Sequence, residues 1–260
     1  MKNSKYKKEN SKGKKLILNM ILIVFFIIII FSLYNIIKWI KNNKDTETQI
    51  DAILNAVTVE DNNEDENNEN KDKSYKIDFE QLKETNSDTV AWIKVNGTDI
   101  EYPVVKYTDN DFYLSHSFNK SSNGAGWVFT DYRNKVDGTD KNIIVYGHNR
   151  RDGSMFATLK NILNKSWYEN EENKKVIFIT EQGQFEYQVF AAYQIEKENY
   201  DTTISFNSDE QFMNYVEKAK KRSVYDFNVD VNSDDNILTL STCANDNKYR
   251  VILHAKDMEI

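Results

Sequence analysis

A run of 22 residues without a charge, Leu16 to Ile37 (LILNMILIVFFIIIIFSLYNII), sets the first constraint on what this chain can become. At 1.5 Å rise per residue, a helix of that length spans about 30 Å, the thickness of a bilayer's hydrocarbon core. A core helix this long would show a polar stripe, and only Asn19, Ser32 and Asn35 interrupt the run. A cleaved signal peptide needs a shorter apolar stretch and a small-x-small site. Here the run leads into Lys38-Trp39, with no alanine until Ala52. Residues 16–37 are therefore expected to be an uncleaved, single-pass anchor.

Seven lysines and one acid in residues 1–15 precede the run. The positive-inside rule then expects residues 1–15 to be a cytoplasmic basic segment and the rest of the chain to lie outside the cell membrane. Residues 38–260 carry 27 basic and 40 acidic residues, a net of −13. That charge argues against nucleic acid as a partner. A single cysteine excludes a disulfide framework and a multi-cysteine zinc site, and no metal or cofactor is expected.

Residues 38–74 are expected to form an acidic extracytoplasmic stalk. Within it, Asp61-Asn-Asn-Glu-Asp-Glu-Asn-Asn-Glu-Asn70 has no apolar residue with which to build a core. Ile50, Ile53, Leu54 and Val57 hold a weak amphipathic pattern consistent with a short helix. A flexible tether of this length reaches roughly 30 Å, and it is expected to be dispensable for chemistry. Residues 75–260 form the head.

The head opens with Asp78-Phe-Glu-Gln81, a capping-box-like start to a short helix. Short β-rich runs follow at 91–95, 100–105, 126–130, 142–147, 175–180, 185–195, 237–242 and 249–255. Gly, Asn and Asp clusters separate them, the pattern of a barrel or sandwich. Helices are expected at 155–163 and, behind the capping box Ser208-Asp-Glu-Gln211, to about Arg222.

Cys243 ends the apolar strand Ile237-Leu-Thr-Leu-Ser-Thr-Cys243, beside a polar turn. Strand ends and their loops are where sites are built. A free thiol near pKa 8.5 needs a base or a cation to react. Of the three histidines, His116 lies in a polar segment and reads as a surface bystander. His254 lies within the last strand and reads as structural or exposed. His148 alone leaves an apolar strand as Cys243 does. Arginine is scarce, five against 29 lysines, and Arg250 opens the strand after the Cys243 turn. A six-residue loop would set Arg250 opposite Cys243, on one face. A five-residue loop would pair Cys243 with Tyr249 instead.

Thr239-Leu-Ser-Thr-Cys243 with Arg250, and Val145-Tyr-Gly-His148 upstream, resemble the signature of the sortases, membrane-anchored cysteine transpeptidases of Gram-positive bacteria. Ala91-Trp-Ile-Lys-Val-Asn-Gly97, Tyr102-Pro-Val-Val105, Asp109-Asn-Asp-Phe-Tyr-Leu114, Gly126-Trp-Val-Phe-Thr-Asp-Tyr-Arg-Asn134 and Gly153-Ser-Met-Phe156 resemble class B members in the same order. The resemblance implies a mainly β fold with added helices: a closed eight-stranded barrel with an N-terminal helix and a long helix between late strands. It implies Cys243 as nucleophile, His148 as acid/base and Arg250 as the residue steadying substrate and oxyanion. Asn96, Tyr146, Tyr200 and Ser241 would line the peptide groove.

The implied reaction cuts a C-terminal sorting signal of an exported protein after a threonine. A thioester acyl-enzyme then passes the protein to an amine of peptidoglycan or lipid II. Three other readings are kept: a pilin-polymerising sortase, a surface cysteine endopeptidase of another fold, and a non-catalytic binding module on a stalk.

Overall fold

The computed structural model describes residues 2–54, 56–61, 73–243 and 248–258. The chain divides into two compact units, 1–45 and 46–260. The first unit is helical, part of α1 (Lys2–Leu54). Its apolar stretch has a mean hydropathy of 3.2 and no buried residue in that window, which fits a membrane anchor.

The second unit starts well before residue 75. The helix continues through the weakly amphipathic segment, burying Thr46 and Ile53, and Ala56 is buried just after it. Thr46 accepts from the Asn123 side-chain amide at 3.1 Å, and the Gln49 side chain accepts from the Asn119 backbone at 3.1 Å. β1 (Val57–Asp61) and β2 (Lys73–Ile77) pair antiparallel outside the barrel. Ile53, Ala56 and Tyr75 belong to the main core, so the compact unit draws on residues that composition alone assigned to a tether. Most of the acidic run, residues 62–70, lies outside the described residues.

The barrel follows the expected runs closely. After α2 (Phe79–Thr85), capped by Asp78 through Gln81 N, come β3 (Thr89–Val95), β4 (Glu101–Val105), β5 (Phe129–Thr130) and β6 (Asn142–His148). A 3-10 helix at Ala157–Leu163 and a single turn α3 (Lys165–Tyr168) lead to β7 (Lys175–Thr180) and β8 (Gly183–Glu196). Then come α4 (Asp209–Arg222), β9 (Ile237–Cys243) and β10 (Tyr249–Asp257). The eight strands β3–β10 close in the order β10-β8-β7-β3-β4-β5-β6-β9, with β4/β5 and β6/β9 parallel.

Alternation along the strands divides the packing in two. Val145, Leu238, Leu240, Val251 and Leu253 point into the main core. The intervening residues of β8, β9 and β10, such as Ala191, Tyr193, Ile237 and Ile252, meet Phe212, Tyr215, Val216 and Ala219 of α4. Those four fall at helical spacing on one face, and burying them holds α4 against the outside of the barrel. Beyond it the same outer face of β6, β9 and β10 carries polar side chains to the strand exits.

Candidate active site

Strand register assembles the site. β9 runs between β6 and β10. In the parallel pair, His148 is the Cα partner of Cys243, Tyr146 of Ser241 and Ile144 of Thr239. In the antiparallel pair, Ile252 faces Ser241 and His254 faces Thr239. The paired ladder ends at Ile252 and Ser241; Arg250 lies two residues beyond it on β10, at the same end of the barrel as Cys243. Directly opposed residues share a face. Positions 148 and 243 therefore form one rung at the strand exits, with Arg250 at the adjoining end of β10.

His148 is held from two sides. Its Nε2 lies 2.9 Å from the Leu114 carbonyl oxygen, which can only accept, so Nε2 carries the proton and Nδ1 is the basic nitrogen of the neutral ring. Gly126, at φ +63°, lies against the ring; a Cβ there would come within 2.6 Å of both His148 Cδ2 and the Tyr113 carbonyl oxygen. Only glycine admits both that backbone and that approach. Burial pushes the His148 pKa down. The Leu114 bond opposes this, and the Arg150 and Arg250 charges add to it.

Arg250 is 8% exposed, and its Nη1 donates to its neighbour's carbonyl, Tyr249 O, at 3.0 Å. Ser241 is buried one pleat below Cys243. Tyr146 sits beside it on β6, its hydroxyl donating to Asp131 Oδ2 at 2.9 Å. Tyr200, just past β8, buries a hydroxyl that lies toward Ser241 and has no hydrogen-bond partner among the described residues. Burial drives that hydroxyl's pKa well up, so it stays protonated and can donate.

Asn96 is not brought to this group. It caps the end of β3 on the opposite arc of the barrel, its side chain donating to Glu172 O at 2.9 Å and its carbonyl accepting from Trp167 Nε1 at 3.0 Å. The other histidines divide as expected. His116 stacks on Phe112 at 4.0 Å in a half-exposed loop. His254 is fully buried and bonded at both nitrogens.

Two participants went unnoticed in the sequence. Leu114 acts through its backbone carbonyl, which leaves no trace in residue type. Asp131 is a fully buried carboxylate gripped by Arg133, Asn110 and Tyr146. The Asp-x-Arg spacing at an apolar strand end is the signal that could have found it.

Comparison with known proteins agrees with this architecture. The sortase domain model matches residues 93–258. Sortase B of Listeria monocytogenes is 34% identical over 234 residues, covering 88% of this chain and 92% of the relative. The structure of Staphylococcus aureus sortase B in a substrate complex superposes with a TM-score of 0.66 at 33% identity, over 70% of this chain and 85% of that one. Sortase B from Bacillus anthracis gives 0.71 at 30% identity, over 86% of this chain and all of that one. Fold, sequence and family model thus agree, and the chain belongs to the sortase family as a class B cysteine transpeptidase.

Proposed function

We propose that Cys243, His148 and Arg250 carry out the transpeptidation on sorting signals of exported proteins. The observation that supports this reading is the β6–β9 register that pairs His148 with Cys243 at the strand exits, with Arg250 at the adjoining end of β10. His148 Nδ1 takes the thiol proton of Cys243, and the thiolate attacks the carbonyl carbon of the threonine residue. The Arg250 guanidinium stabilises the oxyanion that forms. As the C–N bond breaks, the imidazolium returns its proton to the departing amine, leaving a thioester. An incoming amine of peptidoglycan or lipid II attacks the thioester, gives its proton to His148 and expels the thiolate.

Tyr146, Tyr200 and Ser241 line the peptide groove. The related S. aureus enzyme solved with substrate supports this class of acyl donor. The apolar part of α1 anchors the enzyme in the cell membrane by a single pass, with residues 1–15 cytoplasmic and the barrel outside.

The test uses a library of fluorogenic sorting peptides and a glycine-type amine. Cleavage is expected to yield an amine-linked product and to vanish in Cys243→Ala. Arg250→Lys keeps the charge but loses the planar fork, and is expected to lose most of the turnover. Normal cleavage by Cys243→Ala would refute the reading.

A further inference from the structure

The carboxylate of Asp131 lies at the end of β5 with its side chain wholly out of solvent. A lone charge there would be costly, yet it is well provided for. Arg133 grips it with both arms of its fork, Nε to Oδ1 at 2.7 Å and Nη2 to Oδ2 at 2.8 Å. The Arg133 backbone amide donates to Oδ1 at 3.1 Å. Tyr146 Oη and Asn110 Nδ2 donate to Oδ2 at 2.9 and 3.0 Å. Burial pulls the Asp131 pKa up, but these donors outweigh it and hold the carboxyl below its usual range.

Each donor belongs to a different wall of the groove. Asn110 lies four residues before Leu114, whose carbonyl fixes the His148 tautomer, and its own Oδ1 accepts from Tyr132 N at 2.9 Å. Tyr146 lies two residues before His148 on the same strand face. Arg133 Nη2 also donates to the Thr202 carbonyl at 2.9 Å, two residues past Tyr200. One buried charge therefore ties together the segment that orients His148, the strand that carries it and the segment that presents Tyr200.

We propose that Asp131 is a positioning residue of the transpeptidase, setting the His148 ring through Asn110 and Leu114 and the Tyr200 wall through Arg133. This rests on the reading that His148 and Cys243 perform the chemistry. The Asp131 carboxylate is wholly out of solvent. Its effect is geometric, and displacing a reacting group by about 1 Å can cost on the order of 100-fold in rate.

The full chain in detergent is assayed for peptide cleavage as Asp131→Asn, with Asp235→Asn as control. Asp235 is a second buried carboxylate, bonded to Asn232 and Lys256 near the far ends of β9 and β10. Asp131→Asn is expected to lower kcat/KM by about 100-fold, whereas Asp235→Asn lowers stability with activity per folded molecule kept. Proton–nitrogen NMR of the imidazoles gives a readout that a merely structural role would not move. The wild type shows the His148 proton on Nε2, and Asp131→Asn shows a mixture of tautomers. Should Asp131→Asn not fold, single-bond variants take its place. Asn110→Ala is expected to lower kcat with KM nearly kept, and Arg133→Lys to raise KM. If Asp131→Asn matches the control in activity with the His148 tautomer unchanged, or if the single-bond variants both behave as wild type, the proposal is overturned. Activity in Cys243→Ala would instead overturn the catalytic reading beneath it.

Discussion

Two rungs of the same three strands each hold a histidine on the same outer face, and they have become opposites. At the strand exits, His148 donates Nε2–H to the Leu114 carbonyl, and Nδ1 has no hydrogen-bond partner among the described residues. Four residues down β9, His254 lies opposite Thr239 with no exposed surface. Thr239 Oγ1 gives its only proton to Asn142 Oδ1 at 2.8 Å, so it must accept from His254 Nδ1–H at 2.9 Å. Nε2 then accepts from the Tyr193 hydroxyl at 2.9 Å. The two rings hold opposite tautomers. Saturating both nitrogens makes a structural element of one, while a nitrogen left over makes the other available for proton transfer.

The largest effect that separates the rungs is on turnover. His148→Ala is expected to reduce peptide cleavage by about 100- to 10,000-fold with little change in the unfolding midpoint. His254→Ala does the reverse. It leaves the Tyr193 hydroxyl without its acceptor, takes a donor from Thr239 Oγ1 and opens a void among Phe190, Tyr193 and Tyr215, at a cost of about 3 kcal/mol. Activity per folded molecule stays within a few fold of wild type. Paired kinetics and denaturant melts on both variants check this, and a His254→Ala protein that is stable but inactive would dissolve the contrast.

A second effect lies in acid stability. Burial holds the His254 pKa down at about 3, against an ordinary 6.5. Above pH 6.5 both folded and unfolded chains carry this ring neutral. Below it the unfolded chain binds a proton that the folded chain refuses. The His254 contribution therefore falls by about 1.4 kcal/mol per pH unit as the pH drops from 6.5 toward 3. Urea melts of wild type and His254→Asn at pH 7, 6, 5 and 4 isolate this one proton, because the other titrating groups are common to both. The stability gap between them is expected to narrow as pH falls; a constant gap would show that the ring is not buried neutral.

Much of this is legible in the amino-acid sequence. The eight barrel strands announce themselves because short apolar runs bounded by Gly, Asn and Asp have few other uses. The rung at the strand exits was foreshadowed because Cys243 and His148 each end an apolar strand and Arg250 begins one. What stayed hidden depends on distant partners. Val57–Asp61 and Lys73–Ile77 are too polar to look like strands, and form one only by pairing with each other. Ile53 and Ala56 looked like tether because nothing local shows the core that receives them. Asn96 matched by order along the chain, but barrel closure carries β3 to the arc opposite β9. Loop contacts such as Leu114 O to His148 depend on a backbone atom that every residue has.

The finest difference between the rungs is electrostatic, and it gives the smallest effect. His148 has its pKa lowered first by burial and then by nearby guanidinium charge, that of Arg150 among it. Arg150 is kept close by Asp152, with Nη2 to Oδ2 at 2.5 Å, and by Ser154 Oγ at 3.0 Å. Arg150→Gln removes that positive charge and leaves the burial in place. The His148 titration midpoint, followed by imidazole NMR, is expected below 6.5 in wild type and to move upward in Arg150→Gln. The shift stays modest because Asp152 already offsets part of the cation's field. A neutral His148 at pH 7 is the form that can take the thiol proton, so the acid limb of kcat/KM moves upward with the midpoint. His254 responds instead to Arg222 and Asp201, and its own titration is expected to stay where it is. If both histidines moved together, the two rungs would share one field rather than two separate environments.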